Sequence, residues 1–278
     1  MKINASSTLL FAYQMEEVFN IAKNLRYDGV EVWHYHLLKS GEDKKCSNLC
    51  EMAQQLDLSL SFHALSWDLN FTSKINQVRE TSLKLLEESL DLSAELNANP
   101  VVIHPGRITI PGDSSEECWQ FLIEGIKRLT SYAGQKNLDI ALELMEHIPN
   151  EFFITPADAN RILDEVKVPN LGITFDAAHV PLGDDLLDYI SRVNDVTHIH
   201  LSDLTSEKRH IALNTGDRDF TELVRYNIDN LQAGVAIEGI EYQRSEWLAK
   251  HNIKEMDRII KSPGTNKSKR VIKKGGGL

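Results

Sequence analysis

The sequence predicts an α/β protein, a single (β/α)8 TIM barrel, on three observations. Short apolar, β-branched runs recur eight times, longer stretches of helical period separate them, and six consecutive runs end in His, Asp or Glu. The 278 residues suit one barrel-sized domain, and no low-complexity linker interrupts residues 1–260. A doubly wound sheet is the alternative topology. Its nucleotide-binding form lacks support, because no GxGxxG follows the first strand and no Walker sequence occurs.

The strands are expected at residues 2–5, 29–33, 58–63, 100–104, 138–144, 171–175, 196–201 and 235–238. A helix over 72–96 follows from Ile75, Val78, Leu85, Leu86, Leu90 and Leu92 on one face with charges opposite. Another over 114–135 opens on Asp113, Ser114, Ser115, Glu116 and Glu117, a cap and early acids that suit the helix dipole. Thr155 caps a third, with Pro156 at its first position. The last runs over 244–260 into a stop at Ser262, Pro263 and Gly264.

Composition narrows the function classes. With 42% hydrophobic and 26% charged residues, the chain is neither collagen-like nor disordered throughout. No apolar run is long enough to span a membrane, and the N-terminus lacks the apolar segment of a signal peptide. Three cysteines without a CxxC pair argue against a disulfide framework or a Cys-type zinc site and fit a reducing cytoplasm. The net charge is −11, yet residues 261–278 carry six Lys/Arg and no acid, so removing those six leaves −17 for residues 1–260. A body that acidic repels a polyanion and argues against a nucleic-acid partner. The basic tail has no aromatics or periodicity and reads as a disordered, solvated terminus.

In a barrel, chemistry gathers at the C-terminal ends of the strands. Those ends carry His63, His104, Glu143, Asp176 with His179, His200 and Glu238. A buried charge without a partner costs several kcal/mol. One divalent cation satisfies several such groups at once, and a mixed His/carboxylate set suits Mn²⁺, Zn²⁺ or Co²⁺ better than Ca²⁺. Each residue taken alone has a plainer reading: a lone strand-end histidine such as His63 is usually structural, and Glu143 alone fits an ion pair with a neighbouring strand. Recurrence over six strands outweighs this. His34, His36, His147 and His251 read as surface or loop residues. His198, two before His200, points to the same side one layer deeper and suits a supporting role. Glu31 is expected to touch substrate or to pair with a Lys or Arg, and Trp67 to cover an apolar sugar face or a helix end.

The order His63, HPG at 104–106, ALE ending at Glu143, FDAAH at 175–179, HIHLSD at 198–203, then His210 and Glu238 resembles the xylose-isomerase-like barrel superfamily. That group includes sugar (phosphate) isomerases and epimerases, inositol-catabolism enzymes and apurinic endonuclease IV proteins. The resemblance implies a metal at the C-terminal face of a (β/α)8 barrel. The sugar epimerase branch implies Glu143, Asp176, His200 and Glu238 as ligands of one divalent ion (Mn, Zn, Co or Mg), with Glu143 and Glu238 exchanging a proton on opposite faces of an enediolate. His179 would contact substrate oxygens. That branch has an arginine six residues after the strand-seven histidine, where this chain has Ser206, and Arg209 is the substitute candidate.

The endonuclease branch implies three zinc ions, with His63, His104 and Glu143 serving one and His179 with an Asp-x-His pair another. Here that pair is Lys208 and His210, and a protonated lysine cannot ligate. His63, His104, His179 and His210 are thus candidates for a second ion or for substrate. The expected activity is metal-dependent sugar or sugar-phosphate isomerisation or epimerisation, with a zinc phosphodiesterase acting on abasic DNA as the alternative and a non-catalytic sugar- or metal-binding barrel as a third class. Arg107, Lys208 and Arg209 lie in strand-end loops within reach of a phosphate, yet surface charge is the commoner fate of such residues. The sequence leaves oligomeric assembly open.

Overall fold

The computed structural model describes residues 1–262 apart from 111 and 113. Eight parallel strands close into a barrel in chain order: β1 (Ile3–Ser6), β2 (Gly29–Trp33), β3 (Ser59–His63), β4 (Val101–Ile103), β5 (Ile140–Glu143), β6 (Leu171–Asp176), β7 (Val196–Leu201) and β8 (Gly234–Ile237). Pairing of β1 with β8 closes the ring and excludes the doubly wound sheet. The helices are α1 (Met15–Asn24), α2 (His34–Ser40), α3 (Cys46–Gln55), α4 (Asn76–Leu96), α5 (Ser115–Gly134), α6 (Pro156–Val166), α7 (Leu186–Ile190), α8 (Thr221–Tyr226) and α9 (Trp247–Lys261). No described helix is long and apolar enough to cross a membrane.

Side-chain alternation along each strand sorts the residues. Val30 and Val32, Leu60 and Phe62, Ile140 and Leu142, Ile173 and Phe175, and Ile199 and Leu201 all join the apolar core. Their alternating neighbours, which include Glu31, Ser61, Glu143, Thr174, Asp176, His198 and His200, are buried and polar. Strand ends therefore deliver polar groups to the mouth while the same strands hold the helices by apolar contact.

Local signals explain several boundaries. Thr155 caps α6 as the sequence predicts: its Oγ1 accepts from the Asp158 N–H at 3.2 Å, and Asp158 Oδ2 accepts the Thr155 N–H at 2.8 Å. Glu116 and Glu117 occupy the first turn of α5, but Ser114 makes no side-chain cap bond. Asp113, in the same expected signal, lies outside the described residues. The helix expected from residue 72 starts only at Asn76. Thr72 is instead buried in a loop, where its hydroxyl donates to Asn70 Oδ1 at 2.9 Å, so local polar bonds displace the first turn. The last helix begins at Trp247 and ends at Lys261. The Pro263–Gly264 part of its stop, and the basic tail beyond, lie outside the described residues.

Two histidine assignments need correction. His34 and His36 are not surface residues but lie buried on α2. His34 Nδ1 bonds Ser89 Oγ at 2.8 Å, and His36 Nε2 donates to the Tyr13 carbonyl at 2.9 Å, which offsets part of the cost of burying them. His147 is exposed, and His251 is half-buried beside Trp247.

Candidate functional site

A cavity of about 270 Å³ opens at the C-terminal mouth, lined by residues that include His63, His104, Glu143, His179, His210 and Glu238. The strand register explains the convergence. Trp33 pairs with His63 across β2 and β3, and Asp176 with His200 across β6 and β7. Glu143 ends β5, and Glu238 follows β8, where its N–H donates to the Leu201 carbonyl at 2.9 Å.

Glu143 is the hub. Its Oε2 lies 3.1 Å from His104 Nε2 and 3.6 Å from His63 Nε2, and its Oε1 lies 3.5 Å from both His200 Nδ1 and His179 Nδ1. His200 Nδ1 also sits 3.2 Å from Glu238 Oε1, so the two glutamates flank one imidazole. Asp176 Oδ1 accepts the Ala178 N–H at 2.6 Å, and Oδ2 faces His179 Nε2 at 3.4 Å. Backbone carbonyls fix two rings. His63 Nδ1 donates to Ala64 O at 2.9 Å and His179 Nδ1 to Leu144 O at 2.7 Å, and each bond leaves Nε2 free to face a carboxylate.

The loop after β7 is held by the last residue of the HIHLSD run. Asp203 is fully buried and accepts N–H bonds from Gly216 at 2.8 Å and Arg218 at 3.2 Å. Its backbone pairs with Ile211 in both directions. This folds His210 back over the mouth, where its Nδ1 lies 3.0 Å from Ser202 Oγ and 3.6 Å from Glu238 Oε2.

Beneath the mouth, Glu31 departs from expectation. It does not line the cavity, and among the described residues it pairs with no Lys or Arg. It is wholly buried, with Oε2 accepting from His198 Nε2 at 2.7 Å and from Ser61 Oγ at 3.2 Å, and Oε1 3.1 Å from His200 Nε2. Its polar partners come from β3 and β7, so histidines supply its countercharge. Arg209 is exposed and is absent from the cavity lining, so the structure does not offer it as a replacement for the missing arginine. Trp67 does line the cavity, edge-on to Trp33 at 5.7 Å, and Trp33 stacks on His63 at 4.3 Å. Sequence reasoning missed Trp33 and Glu146. Glu146 reaches His179 Nε2 at 3.8 Å, and its only signal is its place three residues after Glu143.

Charges here are set by competition between burial and neighbours. Burial alone would lower the His200 imidazole, but Glu238, Glu31 and Glu143 around it hold it well above its usual range. Burial would raise Glu143, yet His104 and His200 keep it well below the carboxylate norm. Burial pushes Glu238 well up, with Asp176, Glu143 and Glu31 repelling its charge. Glu143 Oε2, Asp176 Oδ2 and His200 Nδ1 are buried without a hydrogen-bond partner among the described residues. Such orphans are rare in folded proteins. Ligand atoms of Glu143, Asp176 and His200 lie within 4.8 Å of one another, as do those of Asp176, His210 and Glu238. The donor set therefore fits a divalent cation that prefers nitrogen and oxygen ligands.

Two outcomes follow from this geometry. Asp176→Asn should abolish binding of the ion in a calorimetric titration with Mn²⁺ or Zn²⁺, and Glu31→Gln should weaken it by about 10–100-fold, because the support of His200 Nε2 is lost. His63→Ala stripping the ion while Asp176→Asn retains it would refute the ligand assignment. Glu151, in the loop between β5 and α6, has its carboxyl pushed up to about 7 by burial and by Glu146 beside it. A raised carboxyl stabilises the fold fully below its unfolded value near 4.5, and that contribution is lost as pH rises through 7. Glu151→Gln should therefore melt with wild type at pH 4 and several degrees above it at pH 8, a gain of about 2 kcal/mol. The same offset at both pH values would contradict the assignment.

Comparison with known proteins agrees with this architecture. An uncharacterised protein of Methanocaldococcus jannaschii is 24% identical over 194 residues, 65% of this chain and 64% of that protein, so the match spans under two thirds of that relative. Fructoselysine 3-epimerase of Escherichia coli O157:H7 is 26% identical over 228 residues, 77% of this chain and 81% of the relative. A probable endonuclease 4 of Mycobacterium marinum is 26% identical over 196 residues, 65% and 73%. Among solved structures, a D-tagatose 3-epimerase-like protein superposes with a TM-score of 0.79 at 23% identity, covering 94% of this chain and 98% of that one. Residues 19–256 match the profile of the xylose isomerase-like TIM barrel, and the chain belongs to that family.

Proposed function

We propose that this chain is a divalent-metal-dependent sugar epimerase or isomerase acting on a small ketose or a ketose derivative. The observation that carries the reading is the pair of buried glutamates, Glu143 and Glu238, flanking His200 Nδ1 at 3.5 and 3.2 Å in one cavity. Similarity to a fructoselysine 3-epimerase and to a D-tagatose 3-epimerase-like fold supports it. Glu143, Asp176, His200 and Glu238 would hold the ion. Such a cation supplies positive charge against the oxyanion that develops when a proton leaves the carbon beside a carbonyl.

The chain's own residues supply the rest. Glu143 ends β5 and Glu238 follows β8, three places apart around the ring, so they approach the centre from different sides. One carboxylate removes the proton and the other returns a proton to the opposite face of the planar enediolate, which inverts the carbon. In one direction one glutamate is the base and the other, protonated, is the acid, and the reverse reaction exchanges the two roles. His179, with Nε2 free and 3.4 Å from Asp176, is placed to donate to a substrate oxygen when protonated. Burial lowers it, but Asp176, Glu143 and Glu146 outweigh that and raise it above the ordinary histidine value. Trp33 and Trp67 form an aromatic wall suited to the apolar face of a sugar.

A zinc phosphodiesterase acting on abasic DNA is the second reading. His63 and His104 favour it, since both aim Nε2 at Glu143 Oε2 and form a second ligand group with it. Lys208 counts against it. It is exposed and stands where the third zinc would need an acid. The net charge of −17 over residues 1–260 counts against a DNA substrate as well.

The test is incubation of the metal-loaded protein in D₂O with ketoses, aldoses and their derivatives, followed by NMR of the recovered sugars. Deuterium should enter one carbon beside the carbonyl, and Glu143→Gln or Glu238→Gln should lower the rate by about 10²–10⁴-fold. No deuterium in any sugar, with nicking of an abasic-site duplex by the same preparation, would reverse the ranking.

A further inference from the structure

This inference rests on the sugar epimerase reading and concerns three side chains that stand beside the four proposed ligands without belonging to them. Glu146 comes from the loop after β5, His179 from the loop after β6 and His210 from the loop after β7, and all three line the cavity. One ligand atom from each lies within 4.8 Å of the other two. For three atoms so placed there is a point within about 2.8 Å of all of them, a hydrogen-bond distance for one oxygen. His179 Nε2 is 3.8 Å from Glu146 Oε1, and the His179 and His210 rings meet edge to face at 5.4 Å.

The loop after β7 is built to present His210. That residue, and not the exposed Arg209, is what the loop brings to the cavity. Its φ of +53° lies in the left-handed region, which a residue with a side chain occupies at a cost, and the bonds between Asp203 and Ile211 hold it there. Ser202 is fully buried, and its hydroxyl bonds His210 Nδ1 at 3.0 Å. Among the described residues that hydroxyl has no other partner, so it donates to Nδ1 and the ring proton sits on Nε2. Glu238 Oε2, at 3.6 Å from Nδ1, is beyond hydrogen-bond range.

These groups match one kind of oxygen. A hydroxyl donates one hydrogen bond and accepts two. Glu146 offers an acceptor and His210 Nε2 a donor, and His179 Nε2 is the second donor already described. A carbonyl or ether oxygen would leave the carboxylate without a donor. His179 lies 3.4 Å from Asp176 and His210 3.6 Å from Glu238, so an oxygen held here is a near neighbour of those held at the carboxylate cluster. We infer that Glu146 and His210, together with His179, grip a free hydroxyl on a carbon flanking the reacting pair, and that they determine specificity for ketoses that carry it.

The experiment compares kcat/KM, by NMR in D₂O, for fructose and its 1-deoxy and 4-deoxy analogues on the metal-loaded protein. One of the two analogues should fall roughly 10²-fold or more below fructose, because the polar groups of the grip are then left unpaired. Glu146→Ala, and His210→Asn, which tolerates the left-handed backbone, should each lower fructose toward that analogue and shrink the ratio by about tenfold or more. A merely structural loss would lower all three sugars alike and leave the ratio as it was. Two analogues within a few-fold of fructose, or a ratio that neither variant shrinks, would overturn the grip. Where no sugar is turned over, calorimetric titration with the same three sugars decides. Tighter binding of fructose than of one analogue, erased by Glu146→Ala, supports the grip and counts against the epimerase reading alone, whereas equal binding or none refutes the grip. Metal content by elemental analysis should be the same in wild type and both variants. Loss of one ion per chain in either variant would assign the three side chains to a cation instead.

Discussion

The structure depends on how four carboxylates can be buried together at the mouth of a barrel. Glu31, Glu143, Asp176 and Glu238 are all at most 6% exposed. Taking one unpaired charge out of water costs several kcal/mol, and among the described residues no Lys or Arg pairs with any of the four. Histidines carry the compensation. His200 is the central one, within 3.5 Å of Glu31, Glu143 and Glu238 at once. A single imidazole cannot neutralise three carboxylates; orphaned oxygens remain on Glu31, Glu143 and Asp176, and a cation fits among those at the mouth.

The barrel makes this arrangement affordable through strand alternation. β7 places His198 and His200 on one face while Ile199 and Leu201 anchor the strand in the apolar core. Depth then divides the labour. His198 and Glu31 lie in a lower layer, tied to Ser61 and through it to Asn4 at 3.2 Å, and they hold His200 from below. The upper layer faces the cavity with its unpaired ligand atoms. The lower layer is tied by the Glu31–His198 and Glu31–Ser61 bonds, yet Glu31 Oε1, His198 Nδ1 and His200 Nε2 are buried there without a hydrogen-bond partner among the described residues.

Much of this was legible in the sequence, for a physical reason. Strand ends that go from an apolar run to His, Asp or Glu are costly unless the polar groups meet, so recurrence over six strands signals convergence even without coordinates. β2 and β7 fall on the expected residues. What stayed illegible depends on three-dimensional neighbours. Glu31 has no local mark that its partners are two histidines on β7, 167 and 169 positions away. His34 and His36 read as surface residues because a short amphipathic helix does not announce which polar groups find partners inside. Glu146 carries no motif, and its value comes from a loop that returns it to His179. The late start of α4 reflects side-chain bonds of Asn70 and Thr72 to the Arg107 loop, which no periodicity encodes.

The central claim is that the orphaned atoms at the mouth belong to one metal centre on Glu143, Asp176, His200 and Glu238. The most direct measurement is elemental analysis of the purified protein together with anomalous scattering from its crystals. The account predicts one divalent ion per chain, with its anomalous peak among those four side chains. A peak held by His63 and His104 with none near Asp176 and Glu238, or three ions in every chain, would contradict it.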